Sequence, residues 1–257
     1  MSRCVVSSGR LSNRIGLLLR SIAVSGAAPV VVAVASILPS SASVRADEIF
    51  VPDDYFTVAA AVAAAQDGDV VVVRPGNYLG TVDFAGKAIT VRSTDGPEKT
   101  TLDAENYQNS VVVFADGEGR GSVLEGFELR NGTGNCDLFF CFGGGVFCNE
   151  TSPTIRNCII RDNETTFDGG GLYARRGSPL IEDCVFEGNA ATWYNGGAIY
   201  VVDAPTITIR RTKFRDNYGD DGGGGILSKN TGLVLEDCTF IGNVTTGGGG
   251  GVSVEGG

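Results

Sequence analysis

Short runs of alternating apolar and polar residues recur at a constant interval from Leu124 to the end of the sequence. An asparagine follows one run in each unit, at intervals of 26, 28 and 26 residues: Asn163, Asn189, Asn217 and Asn243. The residue that closes each glycine cluster recurs every 26 or 27 residues: Val146, Leu172, Ile199, Ile226 and Val252. Alternation predicts half-buried β-strands. A unit with three such strands and three turns predicts one coil of a parallel β-solenoid.

One outward position of the unit alternates in charge along the chain: Glu125, Arg156, Glu182, Arg210 and Glu236. Equivalent residues of successive coils lie about 4.8 Å apart in a solenoid, so each charge would meet opposite charges above and below. The recurrent asparagines predict a second column, in which side-chain amides hydrogen-bond from coil to coil. The two columns predict the same register between coils.

The chain before the repeats has a different pattern. Residues 47–120 are predicted to form an N-terminal cap and the first coils, and residues 121–257 to form the repeats of 26–28 residues. Apolar residues at helical spacing follow the potential N-cap Thr57: Val58, Ala61, Val62 and Ala65. We expect this helix to cover the first strand edge, because an open edge invites aggregation. No such cover follows Val252, which predicts a chain truncated at its C-terminus or end-to-end self-association.

The segments that precede the repeats contain four distinctive motifs: Val51-Pro52-Asp53-Asp54-Tyr55, Asp67-Gly68-Asp69, Arg74-Pro75-Gly76-Asn77-Tyr78 and Gly86-Lys87-Ala88-Ile89-Thr90-Val91. These motifs resemble the opening coils of right-handed parallel β-helix proteins of the pectin-lyase-like superfamily. Later units such as Phe186-Glu187-Gly188-Asn189 with Gly196-Gly197-Ala198-Ile199 resemble the repeats of polymorphic outer-membrane, adhesin-like proteins. The resemblance implies an all-β fold, a single-stranded right-handed parallel β-helix with an N-terminal capping helix. It implies little about activity, because the superfamily includes lyases, polygalacturonases, esterases, phage tailspikes and noncatalytic surface proteins.

The first 46 residues differ in composition from the rest. They hold five arginines and no acidic residue, and an apolar run from Ile22 to Leu38 precedes small residues up to Ala46. This pattern is typical of a secretory signal peptide, cleaved after Ala46 or Ala42. The run is short for a membrane span of about 20 residues and is broken by glycine and proline. We therefore expect an exported protein, secreted or on the cell surface, with no membrane span in the mature chain.

The net charge argues against nucleic acid as a partner, and the cysteine positions predict which thiols are free and which form a disulfide. With 30 acidic and 20 basic residues, the chain lacks the basic surface that nucleic-acid binding requires. Cys158, Cys184 and Cys238 occupy equivalent repeat positions and predict free buried thiols, since stacked side chains lie somewhat beyond the Cβ separation of a disulfide. Cys136 and Cys141 flank a short loop and are the predicted disulfide.

The segments between each asparagine and its glycine cluster leave the solenoid on one side and carry the candidate ligand-binding residues: Phe167, Asp168, Trp193, Tyr194, Tyr218, Asp220 and Asp221. A longer first loop adds Phe139, Phe140 and Phe142. Aromatic rings with nearby carboxylates suit sugars, through stacking and hydroxyl hydrogen bonds, and clustered acids could hold Ca²⁺ that bridges to an acidic glycan. The alternative is that these side chains only solvate glycine-rich turns and pack over the coil edge.

The chain has no histidine, which excludes Ser-His-Asp and Cys-His sites and any histidine-ligated metal. Lyases of the resembled fold use a basic residue beside a carboxylate that holds Ca²⁺, and five arginines are of that type: Arg161, Arg175, Arg176, Arg211 and Arg215. None stands in a matching motif, so no catalytic residue is assigned. The sequence predicts a binding scaffold for a polysaccharide or a cell-envelope component. The alternative is a polysaccharide lyase or another carbohydrate-active enzyme of this superfamily.

Overall fold

The computed structural model describes residues 46–105, 109–137 and 140–256, together with the residue pairs 8–9 and 19–20. Most of the predicted signal peptide and Phe139 lie outside the described residues. Ser8–Gly9 and Leu19–Arg20 form a short antiparallel pair. Residues Met1–Val44 and Arg45–Gly257 are two separate units, and the solenoid belongs to the second.

The second unit is a parallel β-solenoid of about eight turns, so the predicted parallel β-helix is confirmed. Sheet 1 contains, from the N-terminal end, Glu48–Val51, Val70–Val73, Thr90–Ser93, Val123–Glu125, Thr154–Arg156, Leu180–Glu182, Thr206–Arg210 and Gly232–Glu236. Sheet 2 contains Gly76–Leu79, Thr100–Asp103, Glu128–Arg130, Ile159–Arg161, Val185–Glu187, Lys213–Arg215 and Thr239–Ile241. Sheet 3 contains Val82–Asp83, Val112–Phe114, Val146–Asn149, Leu172–Arg175, Ile199–Val202, Ile226–Lys229 and Val252–Glu255.

A short fourth sheet lies between sheets 2 and 3 in the later coils. It contains Glu164–Thr165, Ala190–Ala191, Tyr218–Gly219 and Val244–Thr245, all parallel. An antiparallel hairpin, Asn135–Asp137 with Phe140–Phe142, projects from the coil that precedes this sheet. Each later coil therefore runs through sheet 1, sheet 2, the fourth sheet and sheet 3 before it returns to sheet 1.

The core is filled by side chains that stack in columns along the solenoid, because parallel pairing places equivalent residues directly over one another. Phe186, Phe214 and Phe240 stack with ring centroids 5.2 and 4.7 Å apart. Cys158 and Cys184 are buried free thiols, as predicted, and Cys238 is a free thiol that is half-buried in the last described coil. Strands of that coil, such as Gly232–Glu236, have a strand neighbour on one side among the described residues.

The charged column of sheet 1 has the predicted register. Strand pairing sets Arg156 between Glu125 and Glu182, and Arg210 between Glu182 and Glu236. Arg156 contacts Glu125 at 2.8 Å, and Arg210 contacts Glu236 at 2.9 Å and Glu182 at 3.6 Å. These side chains lie at the surface and are exposed or half-buried, so each pair contributes at most about 1 kcal/mol.

Sheet 2 carries a second charged column that the sequence patterns had not revealed: Asp103, Arg130, Arg161, Glu187 and Arg215. Arg215 Nε lies 2.7 Å from Glu187 Oε1, and Arg130 Nε lies 2.9 Å from Asp103 Oδ2. Arg161 is ion-paired with Glu128, with Nε 3.0 Å from Oε2, and with Asp162, with Nη1 2.8 Å from Oδ2. Sheets 1 and 2 thus present mostly paired charges.

The asparagine column is confirmed and lies at the corner between sheet 2 and the fourth sheet, which we call the asparagine corner. Asn163, Asn189 and Asn217 each donate from Nδ2 to Oδ1 of the next asparagine, at 3.0, 3.0 and 2.8 Å. The left-handed residue of each turn is the one before the asparagine, for example Asp162 at φ 52° and Gly188 at φ 62°. The asparagines therefore satisfy the turn by hydrogen bonding, and their predecessors make the bend.

The predicted helix spans Val58–Ala64, and its N-cap Thr57 accepts a hydrogen bond at Oγ1 from Ala60 N at 3.2 Å. Val58, Ala61 and Val62 are buried where the helix packs on the first strands of sheets 1 and 3. Lys87 Nζ donates to the carbonyls of Val62 and Ala63 at 2.6 and 2.7 Å, which satisfies the end of the helix.

Candidate functional site

Three successive coils project loops at one edge of the fold, and we call residues 165–169, 192–196 and 219–223 together with the hairpin the loop face. Backbone bonds join neighbouring loops: Gly143 N donates to Asp168 O at 3.1 Å, and Gly169 N to Asn195 O at 2.9 Å. The loops pack so closely that a Cβ added at Gly170 would lie 2.4 Å from Ala190 O. Glycine is therefore required where the loops return to sheet 3.

Aromatic rings on the loop face pack against one another. The Phe167 and Tyr194 rings stack, with centroids 4.5 Å apart and planes inclined by 14°. The Phe140 ring meets Phe167 edge-on at 4.4 Å. Phe167 is consequently half-buried between its neighbours, whereas Trp193 and Tyr194 are 65% and 43% exposed. Among the predicted aromatic residues of the loop face, Trp193, Tyr194 and the 47% exposed Phe140 offer the surface that a ligand ring could contact.

The hairpin is fastened by the Cys136–Cys141 disulfide, which joins directly opposed residues of its two strands. Phe167 N donates to Cys141 O at 3.3 Å, so the hairpin lies against the next loop. This arrangement holds Phe140 and Phe142 against Phe167.

Two of the three predicted carboxylates have protein partners. Asp168 Oδ1 accepts from the backbone N of Asn195 at 3.0 Å and from Asn195 Nδ2 at 3.3 Å. Burial raises the pKa of Asp168 despite these hydrogen bonds, which lower it. Tyr218 Oη donates to Asp220 Oδ1 at 2.8 Å, and that hydrogen bond raises the pKa of the Tyr218 hydroxyl. Asp221 is exposed. Asp168 and Asp220 therefore hold loops in place as well as carrying charge.

The clustered acids that the structure brings closest together lie away from the loop face. Ligand atoms of Asp83, Asp116 and Glu118 lie within 4.8 Å of one another. Glu118 is buried, and its two oxygens already accept from Gly86 N at 2.8 Å and Asp116 N at 2.9 Å. This cluster is explained by turn hydrogen bonds in the first coils, and calcium at the loop face stays a prediction.

Sheet 3 adds an aromatic column that the sequence analysis missed. Phe147, Tyr173 and Tyr200 stack on its outer face, with centroids 5.6 and 5.8 Å apart, and Phe142 of the hairpin lies 4.9 Å from Tyr173. Burial is the main cause of the raised pKa of Tyr173 and Tyr200. Their positions in the sequence could have revealed this column, because each of the three aromatic residues follows the residue that closes a glycine cluster.

A groove of about 210 Å³ lies where the hairpin meets sheet 3. It is lined by Asn135, Phe142, Phe147, Asn149, Tyr173 and Arg175. Of the five arginines considered for catalysis, four are ion-paired: Arg161 with Glu128, Arg176 with Glu150, Arg211 with Asp183 and Arg215 with Glu187. The fifth is Arg175, in the groove.

The sheets, the corner and the loops define a parallel β-helix protein. A model of the family described as right handed beta helix region matches residues 105–257, more than half of the chain. The chain belongs to this family, and the predicted right-handed β-helix is confirmed.

Two further comparisons add little about activity. A pectin methylesterase from carrot is 14% identical, with a TM-score of 0.41 over 82% of this chain and 88% of that chain. A likeness this weak carries no argument about activity. No curated protein matches the chain. Across the part of the chain that the structure describes, no helix has the length and apolar character needed to cross a bilayer.

Proposed function

We propose that this protein is an exported or cell-surface scaffold that binds a polysaccharide or a carbohydrate-bearing component of a cell envelope through its loop face. The observation that carries the proposal is the pair of exposed rings, Trp193 and Tyr194, the second of which stacks on Phe167. Sugar rings present apolar C–H faces that pack on such aromatic surfaces.

The loop face is suited to this role because its rings are held before a ligand arrives. Tyr194 is stacked on Phe167, and Asn195 beside it is bonded to Asp168 from both its backbone and its side chain. Binding then loses less side-chain freedom than it would with unconstrained loops. The exposed Asp221 and the half-buried Asp220 can accept hydrogen bonds from sugar hydroxyls.

Export is part of the proposal and has two supports. The apolar segment from Ile22 to Leu38 has the features of a signal peptide. The Cys136–Cys141 disulfide suits an oxidising compartment. N-terminal sequencing of the protein recovered from outside the producing cell should begin at residue 43 or 47, and an intact N-terminus there would contradict the cleavage.

The test is binding of the full chain to a glycan array, followed by titration of the best polysaccharide. Trp193→Ala should weaken that binding about fivefold, near one stacking contact of ~1 kcal/mol. Phe56→Ala is the matched control, because Phe56 is 89% exposed and precedes the capping helix, outside the loop face. Equal affinity of the Trp193→Ala variant, or no binding across the array, would sink the proposal.

The alternative function is a polysaccharide lyase or a related carbohydrate-active enzyme, and one observation favours it. Arg175 is a guanidinium on the outer face of sheet 3 that no ion pair engages among the described residues. Incubation with pectin, alginate and other uronate polymers, with and without Ca²⁺, separates the two functions. Depletion of substrate with release of products would show that the protein is an enzyme and not a binding scaffold.

A further inference from the structure

Three polar side chains converge on the groove beside the hairpin without partners of their own. Within residues 46–105, 109–137 and 140–256, the side chains of Asn135, Asn149 and Arg175 form no hydrogen bond or ion pair. Most other arginines of the solenoid are ion-paired with acidic residues of neighbouring coils. The groove therefore collects donors and acceptors that the fold does not use.

Strand register explains why Arg175 stays unpaired. Parallel pairing sets Asn149 directly on one side of Arg175 and Val202 on the other, where sheets 1 and 2 place acids. The same pairing sets Phe147 beside Tyr173. The groove thus has a floor of two stacked rings next to an amide and a guanidinium, and the hairpin adds Asn135 and Phe142 as a wall.

We propose that this groove is a binding site for an N-acylated acidic sugar, a monosaccharide unit that carries both a carboxylate and an acylamino group. The planar guanidinium of Arg175 matches a carboxylate through paired N–H donors. The side-chain amides of Asn135 and Asn149 each offer a donor and an acceptor, which complement an acylamino group. The rings of Phe142, Phe147 and Tyr173 receive the acyl methyl and the C–H face of the sugar.

Other ligand classes fit the groove less well. A neutral sugar would leave the guanidinium without an anionic partner. A nucleic acid would meet a chain whose formal net charge is −10, with a single unpaired arginine at this site. A simple uronic acid would engage Arg175 but has no acyl methyl for the rings and no amide to pair with Asn135 and Asn149.

The inference rests on the proposed carbohydrate-binding function, because it names the sugar class that the same side of the molecule takes. Trp193 does not line the groove, so the two sites can be altered separately. Loss of polysaccharide binding in Trp193→Ala reports on the loop face, and the variants below report on the groove.

The experiment titrates the full chain with four monosaccharides by ligand-observed NMR. N-acetylneuraminic acid carries both groups, galacturonic acid only the carboxylate, N-acetylglucosamine only the acylamino group, and glucose neither. We expect N-acetylneuraminic acid to bind at least tenfold more tightly than the other three, because it alone engages the arginine and both amides. Equal binding of galacturonic acid would overturn the assignment, as would no measurable binding of N-acetylneuraminic acid.

Variants locate the binding. Arg175→Gln should weaken N-acetylneuraminic acid about tenfold or more, and Asn149→Ala should reduce its advantage over galacturonic acid. Arg176→Gln is the matched control, since Arg176 is the adjacent guanidinium and is already paired with Glu150 at 3.1 Å. All variants should retain the far-ultraviolet spectrum and the unfolding midpoint of the parent, because Arg175 and Asn149 face outward. An Arg175→Gln variant with unchanged affinity refutes the site even where polysaccharide binding persists.

Discussion

The asparagine corner and the groove on sheet 3 use the same side chain in opposite ways. At the corner, Asn189 is buried and hydrogen-bonds to the asparagines above and below it and to Ile160 O at 2.9 Å. In the groove, Asn149 is half-buried and its amide has no partner within the described residues. Both residues lie on the same solenoid, with the same spacing between coils. The difference teaches that stacked residues stabilise the solenoid only where their side chains can bond to one another. Where they cannot, their polar groups stay free to bind a ligand.

The largest difference in the free energy of unfolding should appear between an aromatic residue next to the asparagine corner and one on the loop face. Phe214 is fully buried and stacked between two phenylalanines on the strand that leads to the corner, so Phe214→Ala should lower the free energy of unfolding by about 3–5 kcal/mol. Tyr194→Ala on the loop face should cost ~1 kcal/mol or less, because the ring is 43% exposed. Urea unfolding of both variants measures the difference. Equal losses would mean that the loop face is as much a core as the corner.

The asparagines themselves provide the second comparison. Asn189→Ala should cost about 3 kcal/mol, since it removes the side-chain partners of two buried groups, the Ile160 carbonyl and the Asn163 backbone N–H. Asn149→Ala serves as control and should change the free energy of unfolding by no more than about 0.5 kcal/mol. A small loss of unfolding free energy in Asn189→Ala would show that water or neighbouring coils replace the lost hydrogen bonds.

Acid should change the free energy of unfolding through Asp168 on the loop face. Burial holds the pKa of this carboxyl above its usual value, so the folded state favours the protonated form. The sign follows from linkage: Asp168 adds stability below its unfolded pKa, and this contribution is lost as the pH rises through the folded pKa. Unfolding free energies of the parent and of Asp168→Asn should therefore diverge in favour of the parent as the pH falls from neutral. Parallel curves for the parent and Asp168→Asn would contradict the prediction.

The smallest effect should come from the charged column of sheet 1. Arg210→Gln removes contacts to Glu182 and Glu236, yet all three side chains are solvent-accessible, so the loss should be ~1 kcal/mol or less. The loss should shrink further in 1 M salt, because the screening length falls to about 3 Å there. A salt-independent loss would instead indicate that the aliphatic stem of Arg210 packs on the sheet.

The sequence predicted the features that repeat. Charge alternation from Glu125 to Glu236 located sheet 1 and its register, and the spacing of Asn163, Asn189 and Asn217 predicted the amide column. The capping helix followed from apolar spacing after Thr57. These features are readable because a one-residue slip in any coil would break every contact in its column.

The groove could not be predicted in the same way. Asn135 belongs to a hairpin inserted into one coil, and its distance from Asn149 and Arg175 in space is set by how that hairpin folds back. Nor did the pattern separate Phe167, which is half-buried under Tyr194, from Trp193, which is exposed, because both occupy loop positions outside the strand alternation. Side-chain partners outside the periodic frame depend on loop conformation, which spacing does not encode.

The hairpin also shows how such a molecule can diverge. Glu125 and Arg156 are 31 residues apart and still pair, whereas later coils take 26 to 28 residues for the same turn. The added length leaves the solenoid at the loop face, so an insertion there does not shift the columns. Substitutions in the columns and insertions at the loop face can therefore occur independently of one another. A lineage can acquire new recognition surfaces one coil at a time while it inherits the frame unchanged.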